Sequence, residues 1–222
     1  MPMPSKTLEP QDATARQWDQ AAAGWNANTP IIRSWLRKAT DSMISCAEIS
    51  EGMQVLDVAA GAGDQSLDVA ERVGTSGIVM ATDFSPEILR FAEANAADAG
   101  FRTIKTCVAS ADSLPLESSI FDAAVCRLGL MLMPSPEMAL QEIRRVLKPG
   151  ARLSALVFST IENNPCLAIM MRIAAAHAGL PPRDPYQAGI QGLGVKPEKA
   201  RQHTRTPRRR ALKPRAFAVT EV

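Results

Sequence analysis

The sequence predicts a doubly wound α/β fold, a mostly parallel sheet with helices on both faces and further helices ahead of it. Three observations carry that expectation. Between residues 53 and 158, short apolar runs alternate with amphipathic stretches of helix length. The first apolar run ends in an acid and opens into a loop of Ala and Gly, at the kind of strand end where open α/β sheets bind ligands. Two Ser-Pro pairs, Ser85-Pro86 and Ser135-Pro136, each open a helix by placing a capping hydroxyl before a proline at the first helical position.

At 222 residues and 46% apolar, the chain suffices for one full domain and an extension. No run of about 18 apolar residues suggests a transmembrane helix. Residues 1–10 lack the basic-then-apolar order of a signal peptide. Cys46, Cys107, Cys126 and Cys166 are scattered, which favours a reduced, cytoplasmic setting over a disulfide or zinc framework. No metal site is expected. The net charge of +2 hides an asymmetry: residues 196–215 hold nine of the 25 Lys/Arg and one of the 23 acids, which leaves the rest at −6.

Residues 1–11, with three prolines, read as a flexible arm. Residues 12–50 read as a helical cap of two helices. The first runs over 12–24, with Asp12 as cap and Gly24 as stop. The second runs from Ile31 to about Ile49, with Ile31, Ile32, Trp35, Leu36, Ala39, Met43 and Ile44 at helical spacing. Residues 51–180 form the main domain. Strands are expected at 53–58, 78–82, 102–108, 121–126 and 152–158. Helices are expected at 65–73 (ending at Gly74), from Ser85 to near Gly100, from Ser135 to Lys148-Pro149-Gly150, and over 163–179. Beyond Gly179 the pattern fails, and residues 181–222 read as a disordered basic tail.

The strongest chemical feature is Val55-Leu56-Asp57-Val58-Ala59-Ala60-Gly61-Ala62-Gly63. Glycines let a backbone approach a ligand that a β-carbon would push away. Alone, the pattern also fits a dinucleotide site or a tight turn. Twenty residues after Gly63, Asp83 ends the second strand, where a carboxylate can accept both ribose hydroxyls of an adenosine ligand. An acid stabilised by a helix dipole is the plainer account of Asp83. Phe84 is placed to lie against an adenine ring. Two further stretches are Ala109-Ser110-Ala111-Asp112-Ser113-Leu114-Pro115-Leu116, ahead of Phe121-Asp122, and Arg144-Arg145-Val146-Leu147-Lys148-Pro149-Gly150-Ala151-Arg152-Leu153.

Taken together and in this order, these motifs resemble the class I S-adenosylmethionine (SAM)-dependent methyltransferases, most of all the ubiquinone/menaquinone-biosynthesis-type branch. The resemblance covers about residues 52–158. It implies a Rossmann-like fold, SAM as cofactor and a small organic acceptor. Asp57 would organise the glycine loop near the methionine amino group. Gly61 and Gly63 would let the loop pass beneath the ligand, and Asp83 would bind the ribose. Ser110 and Ala111 would hold the adenine edge, and Cys126-Arg127-Leu128 would lie beside the methionine part. Lys148-Pro149-Gly150 would be a structural turn. Helices like those carrying Trp18, Trp25 and Trp35 would cover the cleft and shape the acceptor pocket; plain packing is the alternative, as it is for Met131 and Met133.

The chain departs from the family pattern in three places. Ala59 stands where the family often has its first glycine. Ser110 stands where many members have an acid, with Asp112 two residues on as the substitute. The antiparallel strand pair that ends the family's sheet is not found. Because a sulfonium methyl is already activated, orientation and desolvation can supply much of the catalysis. His177 and His203 are not placed as bases, and no catalytic residue is named. Three other readings follow from the residues. The first is a SAM-binding but inactive form, truncated or frame-shifted past residue 187. The second is a nicotinamide-dependent oxidoreductase, which would want a glycine near Ser66. The third is nucleic-acid binding through the tail, against which stands the acidic body.

Overall fold

The computed structural model describes residues 10–158, 163–179 and 218–221. Six strands form one sheet in the order β3-β2-β1-β4-β5-β6: β1 (Gln54–Val58), β2 (Ile78–Asp83), β3 (Ile104–Val108), β4 (Phe121–Arg127), β5 (Leu147–Val157) and β6 (Ala218–Glu221). Every neighbouring pair is parallel. The chain enters at the centre, builds outward through β2 and β3, then crosses to β4 on the other side of β1. That reversal places a crevice at the carboxyl ends of β1 and β4, where α/β sheets of this order bind nucleotides.

Alternate residues of the central strands feed two cores. Leu56, Val58, Ala124 and Cys126 pack with Ile143 and Val146 of α4 (Pro136–Val146). Val55, Val79, Val125 and Leu156 pack with Met43 and Ile44 of α1 (Pro10–Cys46) and Val69 and Val73 of α2 (Asp64–Val73). Burial on both faces is why β1 and β4 read as apolar runs and not as alternation. Ser85 caps α3 (Pro86–Asp98): its Oγ accepts from the Ile88 N–H at 3.2 Å. α5 (Pro165–His177) follows β5.

Four expectations are corrected. The two cap helices are one 37-residue helix, α1, which runs through Gly24 and Pro30 and starts at Pro10, inside the expected arm. Its inward positions Trp18, Ala22, Trp25, Thr29, Ile32, Leu36, Thr40 and Met43 recur every three or four residues without a gap. That continuous packing stripe outweighs a glycine and a proline, which as local signals end helices. Ser135 makes no capping hydrogen bond, although Pro136 does open α4. Lys148-Pro149-Gly150 lies within β5 as an irregularity: Phe121 pairs with Leu147, and Ala123 already pairs with Arg152. Lys148 closes it by an ion pair to Asp122 at 2.7 Å. Finally, Ala218–Glu221 form a strand beside β5, parallel to it, within the expected tail. Residues 1–9, His203 and the rest of the tail lie outside the described residues.

Candidate functional site

Three chain segments meet at the crevice: the loop after β1, the end of β2 and the end of β4. Asp57 sits in β1 with no solvent exposure. Its Oδ1 accepts from Gln65 Nε2 and its Oδ2 from Ser66 Oγ, both at 2.5 Å. Asp57 thus ties the strand to the first turn of α2 and so sets the path of the loop between them. Burial pushes its carboxyl up to about 7, against the opposing pull of Ser66, Gln65 and the Arg127 charge.

This raised value has a consequence for stability. The unfolded chain gives up this proton near 3.8, while the folded chain holds it to about 7. Between those values the folded state carries the extra proton, so the contribution is full below the lower value and is lost as pH rises through the window. Urea unfolding is expected to show wild-type stability falling from pH 5 to pH 8 relative to Asp57→Asn; parallel pH profiles would refute it.

Ala59 and Leu128 end the two central strands with left-handed backbones, at φ 55° and 61°. Such conformations disfavour side chains, and strain of this kind gathers at functional sites. The structure explains why Ala is tolerated at 59: its methyl occupies the place where a β-carbon on Gly129 would stand, 2.4 Å away. Gly129 was not singled out in the sequence, because only the fold brings it against residue 59.

Gly61 has φ +57°, and its open α-carbon faces the indole of Trp25, whose Nε1 would be 3.4 Å from a β-carbon there. The Gly61 N–H donates to Asp83 Oδ2 at 3.1 Å, and the Ser85 N–H donates to Asp83 Oδ1 at 3.0 Å. Burial raises the Asp83 carboxyl; those backbone donors and that of Phe84 oppose it, and Asp19 of α1 adds to the rise. Phe84 is half-buried. The Ala109 N–H donates to the Asp83 carbonyl at 2.9 Å, which brings Ser110, Ala111 and Asp112 beside the β2 end. Ser110 is exposed, and Ala111 and Asp112 are half-buried.

Gly63 has a packing reason of its own. A β-carbon on it would lie 2.9 Å from Ala92 Cβ in α3, and its φ is +82°. It keeps the glycine loop close-packed on a helix. Gly63→Ala is expected to lower unfolding free energy by about 2–4 kcal/mol, from left-handed strain and overpacking together. Ala92→Gly should return the overpacking share. A loss under about 1 kcal/mol in denaturant titration would overturn this account.

Arg127 reaches back from β4. Its guanidinium pairs with Asp64, the first residue of α2, and donates to Thr40 Oγ1 of α1 at 3.1 Å. The two charged side chains are 4% and 2% exposed. Trp25, Ile32 and Leu36 of α1 face Ala59, Gly61, Arg127 and Leu128 across a cavity of about 270 Å³. Asp64, Gln65 and Thr40 were missed in the sequence, since nothing local marks a residue three segments away as a partner. Burial and the neighbouring Asp57 push the Cys126 thiol up to about 12, so it offers no nucleophile. Met131 is buried in the core with Met133 packed beside it. Among the described residues, no group of three or more His, Cys, Asp or Glu could hold a metal, and no helix is long and apolar enough to cross a membrane.

Residues 29–173, about two thirds of the chain, match the model of the ubiE/COQ5 methyltransferase family. The chain belongs to the ubiE/COQ5 methyltransferase family. Its fold is accordingly the class I methyltransferase fold, and the family's cofactor is SAM. A Bordetella parapertussis ubiquinone/menaquinone biosynthesis C-methyltransferase is 40% identical over 118 residues, 53% of this chain and 45% of that protein. An uncharacterized Mycobacterium tuberculosis protein is 32% identical over 166 residues, 69% of this chain and 57% of its own. The chain thus spans about half the length of the curated relatives it matches. The YcgJ protein of Bacillus subtilis shares the fold at TM-score 0.57 and 22% identity, covering 75% of this chain and 66% of its own. The site suits the family's cofactor in its donor set: a buried carboxylate at the end of β2, and a glycine backbone at the switch point that a side chain would block.

Proposed function

We propose that this chain transfers a methyl group from SAM to a small organic acceptor, with an aromatic or quinol-type ring as the class to which the relatives' name points. The observation that supports the reading is the Asp83–Gly61 corner, where a buried carboxyl and a backbone without a side chain meet at the crevice between β1 and β4. When bound, the cofactor supplies a methyl group already activated for displacement. The chain's own residues bind, orient and exclude water. Asp83 would accept the ribose hydroxyls, with Phe84 against the adenine and Ser110, Ala111 and Asp112 along its edge. Gly61 would pass beneath the sugar. Asp57 holds the loop in shape through α2, and Ala59, Arg127 and Leu128 would flank the methionine part.

Trp25, Ile32, Leu36 and Leu128 give the cavity apolar walls that exclude water from an in-line transfer. No side chain is assigned as a base. Calorimetry should show binding of SAM and of its demethylated product, S-adenosylhomocysteine, with none of NAD. Incubation with a panel of phenols and quinols should yield an acceptor heavier by one CH₂. Binding of NAD in place of SAM would sink the reading, and SAM binding with no acceptor modified would reduce it to a binding protein.

A further inference from the structure

The crossover from β3 to β4 has no helix. Parallel strands need a connection that returns along the sheet, and those that leave β1, β2 and β4 use α2, α3 and α4 for it. Residues 109–120 make the same return in irregular backbone. The stretch begins beside Asp83, whose carbonyl accepts from the Ala109 N–H, and it carries Ser110, Ala111 and Asp112. Backbone outside a helix or a sheet leaves its N–H and C=O groups to find other partners.

α4 supplies them. Glu142 and Arg145, one turn apart, form a side-on pair: Arg145 Nε donates to Oε1 at 2.8 Å and Nη2 to Oε2 at 2.7 Å. Such a two-bond fork fixes the geometry of both side chains. The pair then grips the crossover. Glu142 Oε2 accepts from the Leu114 N–H at 3.1 Å. Arg145 Nη2 donates to the Leu114 carbonyl at 2.9 Å, and Nη1 donates to the Leu116 carbonyl at 2.8 Å and to Ser118 Oγ at 3.2 Å. The carbonyls of Arg145 and Val146 accept from the Ser119 and Ile120 N–H groups at 3.0 and 2.9 Å. The Leu114 side chain is buried in the same core as Ile143 and Val146.

This anchor lies one residue beyond the turn at the adenine edge. The Ser113 N–H donates to the Ser110 carbonyl at 3.1 Å and closes that turn, and Leu114 follows at once. The turn is therefore pinned from both sides, by Ala109 on the Asp83 carbonyl and by Leu114 between Glu142 and Arg145.

We propose that the Glu142–Arg145 clasp is a positioning device for base recognition: by pinning Leu114 it holds the Ser110–Asp112 turn where it reads the 6-amino edge of adenine. This rests on the cofactor reading above. Both side chains act through the turn and not on the ligand. A 6-amino purine offers a donor at its 6-substituent and an acceptor at N1, and a 6-oxo purine reverses both. A fixed edge pairs with the first and leaves groups unpaired against the second. A turn free to shift pairs with either.

Calorimetry with S-adenosylhomocysteine and its 6-oxo counterpart, S-inosylhomocysteine, tests this. The wild type should prefer the 6-amino ligand about a hundredfold. Arg145→Met and Glu142→Ala, both at half-buried positions, should fold and should lower that preference below about tenfold. Glu142→Gln, which keeps an oxygen for the Leu114 N–H, should retain most of it. Val146→Ala cuts into the core next to the clasp without touching it, so that variant should lose stability and keep the wild-type preference. If S-adenosylhomocysteine does not bind the wild type, the cofactor reading fails and takes this role with it. The cofactor reading stands and the role alone is overturned by any of three results: a wild type that binds both ligands equally, clasp variants that keep the full preference, or a Val146→Ala protein that loses it as they do.

Discussion

Asp83→Ala is expected to cut affinity for S-adenosylhomocysteine at least a hundredfold while leaving the far-ultraviolet circular dichroism unchanged. Hydrogen bonds to a carboxylate that carries its charge are worth about 1.5–3 kcal/mol each. Two ribose hydroxyls therefore account for about 3 kcal/mol or more, and each 1.4 kcal/mol is tenfold. The change does further harm, since Asp83 also holds the Gly61 and Ser85 N–H groups. Losing it frees the loop on which the ligand would rest. Asp83→Asn keeps an acceptor without the charge, so it should fall between, near tenfold. Calorimetry decides the matter: an Asp83→Ala protein that binds as tightly as wild type removes Asp83 from the ribose.

The second large effect concerns stability and binding together. Arg127→Met is expected to lower unfolding free energy by about 3–5 kcal/mol, because it leaves Asp64 charged, buried and without its cation. For a chain of this length each kcal/mol shifts the melting temperature by about 2–4 °C, so the midpoint should fall by about 6–20 °C. Adding Asp64→Leu should recover most of that loss, since replacing both partners of a buried pair by apolar groups is often neutral. Binding should not recover with it, because the rebuilt cavity has lost its guanidinium. A double variant that regains both stability and affinity would show that the pair is structural alone. An Arg127→Met loss under about 1 kcal/mol would show that the pair contributes little even to the fold.

The strand–helix alternation and the order of the motifs were legible because their causes are local. β1 and β4 read as mainly apolar runs since both their faces are covered, and Ser85-Pro86 opens α3 by chemistry confined to one turn. Asp57, Gly61 and Asp83 stood out as candidates for the same reason: strand ends and small loop residues mark themselves in sequence. Reading Gly24 as a stop failed, and the helix runs on through Pro30 as well. Local propensity there amounts to a few kcal/mol, while the inward stripe from Trp18 to Met43 carries the helix across a whole domain face. The packing reason for Gly63 was not legible, because only the packed α3 shows that Ala92 stands where its β-carbon would go.

By itself, then, the sequence determined the doubly wound sheet, its cofactor-type loop and the acid at the second strand, because each depends on neighbours within a turn or a strand. Only the tertiary structure decided which residues share the crevice. Arg127 finds Asp64 and Thr40 across 63 and 87 residues of chain, Asp19 reaches Ser85 across 66, and Gly129 yields its space to Ala59. Such pairs have no signature in sequence. Charge, hydroxyl and missing β-carbon acquire their partners only when hydrophobic burial brings distant segments together and leaves their polar groups with nowhere else to bond.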